Sequence, residues 1–281
     1  MNHKLTPPSA TQSEKAARFR ALHEGPGAFV IPNPWDALSA RVLAGLGFQA
    51  LATSSAASAG VMGRRDHELT RDEALAHARM IVEATDLPVS ADLEKGFGDA
   101  PEAVAETVRL AAATGLVGCT IEDSTGNPDR PLYEERLAIE RIAAGAEAAR
   151  ALPFPFILTA RAHNFLYGAP RLDDTIRRLQ SFERAGADVL FAPGVPDIAA
   201  VRAVCTALTK PFNFMAGIKG KSFPVDELVA AGVRRISLAT SLYRAAMTGL
   251  IEAAREVKDT GQFDFLDRCI TTTELNELMG I

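Results

Sequence analysis

Short apolar runs alternate with amphipathic stretches along most of this chain, and the alternation predicts its elements. Residues 11–24 place Ala16, Phe19 and Leu22 near helical spacing, which predicts an opening helix. The run at 28–31 predicts a buried strand, with Pro32 and Pro34 in its exit loop. Asp36 then caps a helix that ends at the Gly45 and Gly47 breakers. The same order repeats. Further strands are predicted at 48–53, 88–92, 117–122, 154–161, 188–192, 211–216 and 234–239. The stretch SSAASAGVMG after the second of these strands is a small-residue segment, and helices follow at 70–84, 101–113, 133–150, 173–185, 196–208 and 225–231. A long helix at 242–258 follows the last strand.

Several helices end alike, in AGLGF, ATGLVG, RAGADV and AAGVRR, with glycine where a left-handed cap is expected. Strands alternating with helices of this length predict parallel βαβ units. Eight such units predict a closed (β/α)8 TIM-type barrel. An open doubly wound sheet is disfavoured because no GxGxxG follows the first strand. The expected organisation is an N-terminal helical segment at 1–27, the barrel at 28–259 and a tail at 260–281. That tail carries Phe263, Phe265 and Leu266, so it is expected to pack on the barrel or on a neighbouring subunit.

Composition narrows the function classes. With 281 residues, 47% hydrophobic and 23% charged, the chain can bury a large core. Its net charge of −5, with no basic stripe interleaved with aromatics, argues against nucleic-acid binding. Three scattered cysteines fit a reducing compartment, so a cytoplasmic location is expected. The opening residues carry no apolar signal region, and no run is long enough to predict a membrane span.

In such barrels chemistry sits at the carboxyl ends of the strands. Collected in order, those ends supply Asn33, Trp35 and Asp36, then Thr53, Ser54 and Ser55, then Asp92 and Glu94, then Glu122 and Asp123. Arg161, His163 and Asn164, then Asn213, then Ser237, Thr240 and Ser241 complete the set. In PVSADLEKGFG, Asp92 and Glu94 stand two residues apart, so a strand running into its exit points both carboxylates the same way. With Glu122 they suggest oxygen ligands for a hard divalent cation, against a bland reading as solvated loop acids or caps. Arg161 ends the apolar run FPFILTA, so its charge must be paired or face a cavity; binding of a substrate carboxylate is favoured over a structural ion pair. His163 is as often a surface residue as an acid–base group, and Trp35 is as often core as pocket wall. Cys119 reads as a core residue, and Arg64 and Arg65 beside Asp66 as a solvated loop. No GxSxG is present, and no lysine lies inside a strand to form a Schiff base. Metal-assisted stabilisation of an enolate is the mechanism left. A rival is a phosphate-handling barrel using Gly217, Lys219, Gly220 and Lys221 after strand seven; a barrel that binds without turnover is a third reading.

At these residues the chain resembles the isocitrate lyase/phosphoenolpyruvate mutase superfamily. The matching segments are NPWDALSARVLAGLGFQALATSSA, PVSADLEKGFG, GCTIEDS, ILTARAHNF and ADVLFAPG, in order across roughly residues 28–241. The resemblance implies a barrel whose last helix is exchanged between subunits of a homodimer or homotetramer, and a Mg2+ ion (or Mn2+). It implies C–C or P–C chemistry on a small 2-oxo or 2-hydroxy acid through an enolate. The metal-site acids fall on Asp92, Glu94 and Glu122, with Glu94 standing where aspartate is more common. The substrate-carboxylate arginine falls on Arg161, the cradling segment on Ser55, Ala56 and Ala57, and a catalytic loop aspartate on Asp66. Trp35, Asp36 and Asn213 match pocket positions, and His163 stands where relatives often carry an acid. The lyases' Lys-Lys-Cys-Gly-His loop is replaced here by DSTGNPDRPLYEER, in which Asn127 is the only echo of the phosphonate enzymes. The expected activity is therefore a C–C lyase or decarboxylase without that cysteine, with a phosphonomutase or phosphonopyruvate hydrolase as the alternative.

Overall fold

A computed structural model describes residues 10–167 and 171–280. Its strands are β1 (Phe29–Ile31), β2 (Leu51–Ala52), β3 (Val89–Asp92), β4 (Gly118–Glu122), β5 (Ile157–Arg161), β6 (Val189–Phe191), β7 (Phe212–Met215) and β8 (Arg235–Ser237). All pair in parallel in the order β1-β8-β7-β6-β5-β4-β3-β2. The remaining seam is bridged by Ala52 N–H donating to the Pro32 carbonyl at 3.0 Å, so the sheet closes into a barrel. The strands are shorter than their apolar runs. Pro155, for example, has no N–H to give a ladder, and β5 begins two residues after it.

Local signals explain where the helices start. Thr11 with Glu14 opens α1 (Gln12–Glu24) and Thr70 with Glu73 opens α4 (Arg71–Glu83), both through reciprocal capping boxes. Asp36 and Ser39 do the same for α2 (Ala37–Gly45), and Pro101 occupies the first turn of α5 (Pro101–Ala112). The helices α6 (Glu135–Arg150), α7 (Leu172–Ala185), α8 (Ile198–Ala207) and α9 (Val225–Ala230) complete the outer ring. The main core lies between ring and barrel. A second cluster joins Ala16 and Phe19 of α1 to Phe29, Val117, Ile157 and Val189 at the strand starts, so α1 plugs the amino-terminal end of the barrel. Residues 1–9 of the expected N-terminal segment and the final residue of the tail lie outside the described residues.

Two helices were not read from the sequence. The small-residue segment after β2 forms α3 (Ser55–Val61), and the tail folds into a 3-10 turn at Asp264–Arg268 and a helix at Thr272–Met279. The long helix α10 (Ser241–Thr260) buries none of its residues, and Leu250 and Ile251 on it are exposed. The final helix, α11 (Thr272–Met279), packs back on α2, where Gly45 lies against the Leu278 carbonyl with no room for a Cβ. No helix of the described residues is long and apolar enough to cross a membrane.

Candidate active site

The carboxyl end of β3 is fixed from both sides. Asp92 N–H donates to Thr53 Oγ1 at 3.1 Å, and Asp92 Oδ1 accepts the Glu94 N–H at 3.1 Å. Glu94 and Phe97 both take left-handed backbone, with φ of 51° and 57°. Arg141 from α6 holds this loop from below. Its guanidinium donates to the carbonyls of Lys95, Gly98 and Asp99 and lies 4.2 Å over the Tyr133 ring. A buried arginine spent on three carbonyls makes the exit of β3 rigid.

Arg161 at the end of β5 bridges the acids of two strands. Its Nη1 lies 3.0 Å from Asp92 Oδ2, and its Nη2 pairs with Glu122 Oε2. Ser55 Oγ, at the start of α3, donates to the same Asp92 oxygen at 3.3 Å. His163 Nε2 stands 3.3 Å from Glu122 Oε2, and burial, then the charge of Arg161, holds the imidazole well below its usual pKa. Beneath it, Asp123 accepts the His163 N–H at 2.8 Å and pairs with Arg178 at 3.2 Å. Burial outweighs these partners and pushes the Asp123 carboxyl up to about 6. Asp92, Arg161, Thr53 and Ser54 line a narrow cavity of about 50 Å³ inside the barrel mouth.

Glu94 faces away from this bridge. His67 Nδ1 lies 3.0 Å from Glu94 Oε2, and that hydrogen bond raises the His67 pKa. Asp66 stands 3.9 Å from the other ring nitrogen, so the imidazole sits between two carboxylates. Among the described residues, Asp66, His67 and Glu94 are the group offering three potential ligand atoms within 4.8 Å of one another. The three acids expected as ligands do not close on one point; Arg161 stands between Asp92 and Glu122. The donor set still suits a hard cation. It is rich in carboxylate oxygen, with Glu122 and Glu94 both buried and Asp66 and His67 beside Glu94. Glu94 and His67 also border a wider cavity of about 690 Å³ that runs to Gly98 and Asp99.

Other expected residues lie apart. Trp35 meets the Tyr243 ring at 5.6 Å, and its carbonyl accepts from His77 Nε2 at 2.8 Å. Asp36 caps α2, and both residues line an apolar cavity with Leu38, Leu242 and Leu275 rather than the one at Asp92. Ala56 and Ala57 follow Ser55 in the first turn of α3, where Ala57 is buried. Asn213 is fully buried, with its amide spent on Arg235 and Ser237. Cys119 is a core residue whose thiol is pushed up by burial. Lys219 is exposed, and the Gly217–Lys221 loop closes on itself through Lys221 N–H and the Ile218 carbonyl. The sequence pattern does not mark out His67, Lys95, Arg178 or Arg235. The only hint for His67 was its place beside Asp66.

Comparison with known proteins gives this geometry a context. The sequence profile of the phosphoenolpyruvate phosphomutase family matches residues 19–258. A 2-methylisocitrate lyase-type protein of Corynebacterium glutamicum is 29% identical, over 95% of this chain and 89% of its own. An oxaloacetate decarboxylase of Ectopseudomonas mendocina is 30% identical, over 88% of this chain and 86% of its own. The crystal structure of a lyase/mutase-type protein from Burkholderia cenocepacia superposes with a TM-score of 0.94 at 50% identity, covering 96% of this chain and 98% of that one. Such relatives cleave or rearrange C–C or P–C bonds, which excludes the purely binding barrel. The chain belongs to the phosphoenolpyruvate mutase family of the isocitrate lyase superfamily and is an enzyme acting on a C–C or P–C bond.

Proposed function

We propose that this enzyme is a Mg2+-dependent C–C lyase or decarboxylase of a small 2-oxo or 2-hydroxy acid. The observation that carries it is Arg161 held between Asp92 and Glu122 at the mouth of the barrel. Asp92, Glu94 and Glu122 would hold Mg2+ (or Mn2+), with Asp66 beside Glu94. Bound there, the ion would supply Lewis-acid neutralisation of the negative charge that cleavage leaves on the 2-oxo oxygen. Arg161 holds the substrate carboxylate, and its fixed fork suits that planar group. Ser55, Ala56 and Ala57 border the same anion. His163, kept neutral, offers a hydrogen bond beside Glu122 without adding a second full charge.

The loop after β4 favours C–C over P–C chemistry. It closes on itself through the Ser124–Leu132 bridge, and Asn127 Oδ1 is spent on the Asp129 N–H at 2.9 Å. The single residue that echoes the phosphonate enzymes is thus occupied in a local turn. Lys95 reaches this loop, donating to the Thr125 carbonyl at 2.9 Å, and supplies a cation there from the loop after β3 rather than from the β4 loop itself. The relatives named for 2-methylisocitrate and oxaloacetate support the same substrate class. The α10 helix, with no buried residue, supports a homo-oligomer in which it packs on a neighbouring subunit.

The test is a panel of oxaloacetate, 2-methylisocitrate and phosphonopyruvate incubated with enzyme and Mg2+, with products identified by mass spectrometry. C–C cleavage products are expected. Turnover of phosphonopyruvate alone would replace this proposal with the P–C alternative.

A further inference from the structure

Arg235 opens β8 with Phe29 and Asn213 as its register partners and is 3% exposed. Its Nε donates to Asn213 Oδ1 at 2.8 Å, and Asn213 Nδ2 donates in turn to Ser237 Oγ at 3.0 Å. Asn213 is therefore a positioning residue that aims the guanidinium. Nη1 is buried with no partner at all. Among the described residues no carboxylate forms an ion pair with Arg235, whereas Arg161 has two. His23, which lies within reach of its field, is neutral: burial and the Arg235 charge push it down to about 3. Burial lowers the Arg235 guanidinium only to about 9, so it stays charged at neutral pH. An isolated buried cation is costly unless an anion meets it.

Arg235 lines the same cavity as Asp92 and Arg161. Roughly 10–15 Å³ holds one water, so a space of about 50 Å³ admits a few heavy atoms, the size of a carboxylate rather than of a whole acid. We infer that Arg235 is the seat for a second carboxylate of the substrate. One end of the acid sits at Asp92 and Arg161, which rests on the function proposed above, and the other enters the barrel as far as Arg235. The residue thereby selects dicarboxylic over monocarboxylic 2-oxo and 2-hydroxy acids.

Malate and lactate test this directly, because both are stable 2-hydroxy acids and only malate carries the second carboxylate. Calorimetric titration of the full chain in Mg2+ should show malate binding about tenfold or more tightly than lactate, the scale of one hydrogen-bonded charge. Arg235→Gln should abolish that preference and leave lactate binding in place. A preference that survives Arg235→Gln, or affinities for both acids that fall together, would overturn the assignment. Should that variant not fold, the wild type can be titrated with 2-hydroxysuccinamate, in which an amide replaces the second carboxylate. Binding about tenfold weaker than malate is expected; equal binding would overturn the inference. Failure of the wild type to bind either acid would instead remove the proposed function itself, and this inference with it.

Discussion

Arg161 carries the largest local consequence of any side chain in the mouth of the barrel. Two guanidinium nitrogens serve two acids from different strands, so a single ammonium cannot replace it. Arg161→Lys is expected to lower kcat/KM by about 10²-fold or more with modest loss of stability. Arg161→Met is expected to cost about 3 kcal/mol in denaturant unfolding, since Glu122 is then left buried, and Asp92 half-buried, without a cation. An Arg161→Lys enzyme with wild-type kcat/KM would contradict the carboxylate-binding role. The acids and Arg161 were legible because charge at the end of an apolar run has few innocent explanations. His67 and Arg235 were not. His67 depends on a left-handed backbone with φ of 67°, and Arg235 depends on which face of β8 turns inward, which pattern alone does not set.

Among the elements, α11 and α3 show the limit of periodicity. Alanine, serine and glycine in α3 carry no apolar stripe, and the segment becomes helical through its packing next to α4 and Tyr243, whose ring closes on Gly60. The tail revealed its apolar residues but not its partner. The physical reason is Gly45, whose missing Cβ lets the α11 backbone approach α2. Gly45→Val should therefore detach α11, seen as faster hydrogen exchange at 272–279 with the barrel strands unchanged. Unaltered protection of α11 in that variant would show that the close approach does not hold it. By contrast α2 begins at the Asp36 cap its sequence announces, and α1 and α4 begin one residue after the expected starts at Thr11 and Thr70, which prove to be caps, because a capping box is a local device.

For the whole molecule, two expectations follow from what the fold leaves exposed and what it buries. Leu250 and Ile251 on α10 and Phe263, Leu266 and Ile270 beyond it are exposed. A stable monomer rarely presents so much apolar surface in one region. Sedimentation should find a dimer or larger assembly, shifted toward monomer by Leu250→Asp with Ile251→Asp; a monomeric wild type would contradict the packing role. Acid stability follows from histidines buried neutral. His23 is pushed down to about 3 and His77 is lowered by burial, so both folded values lie below the unfolded one. As pH falls below about 6.5, the unfolded chain takes up protons the folded chain refuses, and stability declines by up to about 1.4 kcal/mol per pH unit for each. Asp123, raised to about 6, acts in the opposite sense as pH falls toward the unfolded carboxyl value and softens the slope. His23→Phe should flatten the decline by up to one proton's worth in denaturant unfolding at pH values below about 6; an unchanged slope would show that His23 is not buried neutral.

The barrel itself was legible from its eight apolar runs, and the C–C or P–C chemistry through the resemblance those strand-end segments carry; the acids alone suggested only a hard cation. The most direct measurement is the initial rate of C–C cleavage of a 2-oxo acid, taken with Mg2+ and with excess EDTA, for the wild type and Asp92→Asn. Cleavage that requires Mg2+ and falls about 10²-fold or more in Asp92→Asn is expected. A rate indifferent to EDTA, or to the loss of the Asp92 charge, would contradict a metal held at the ends of β3 and β4.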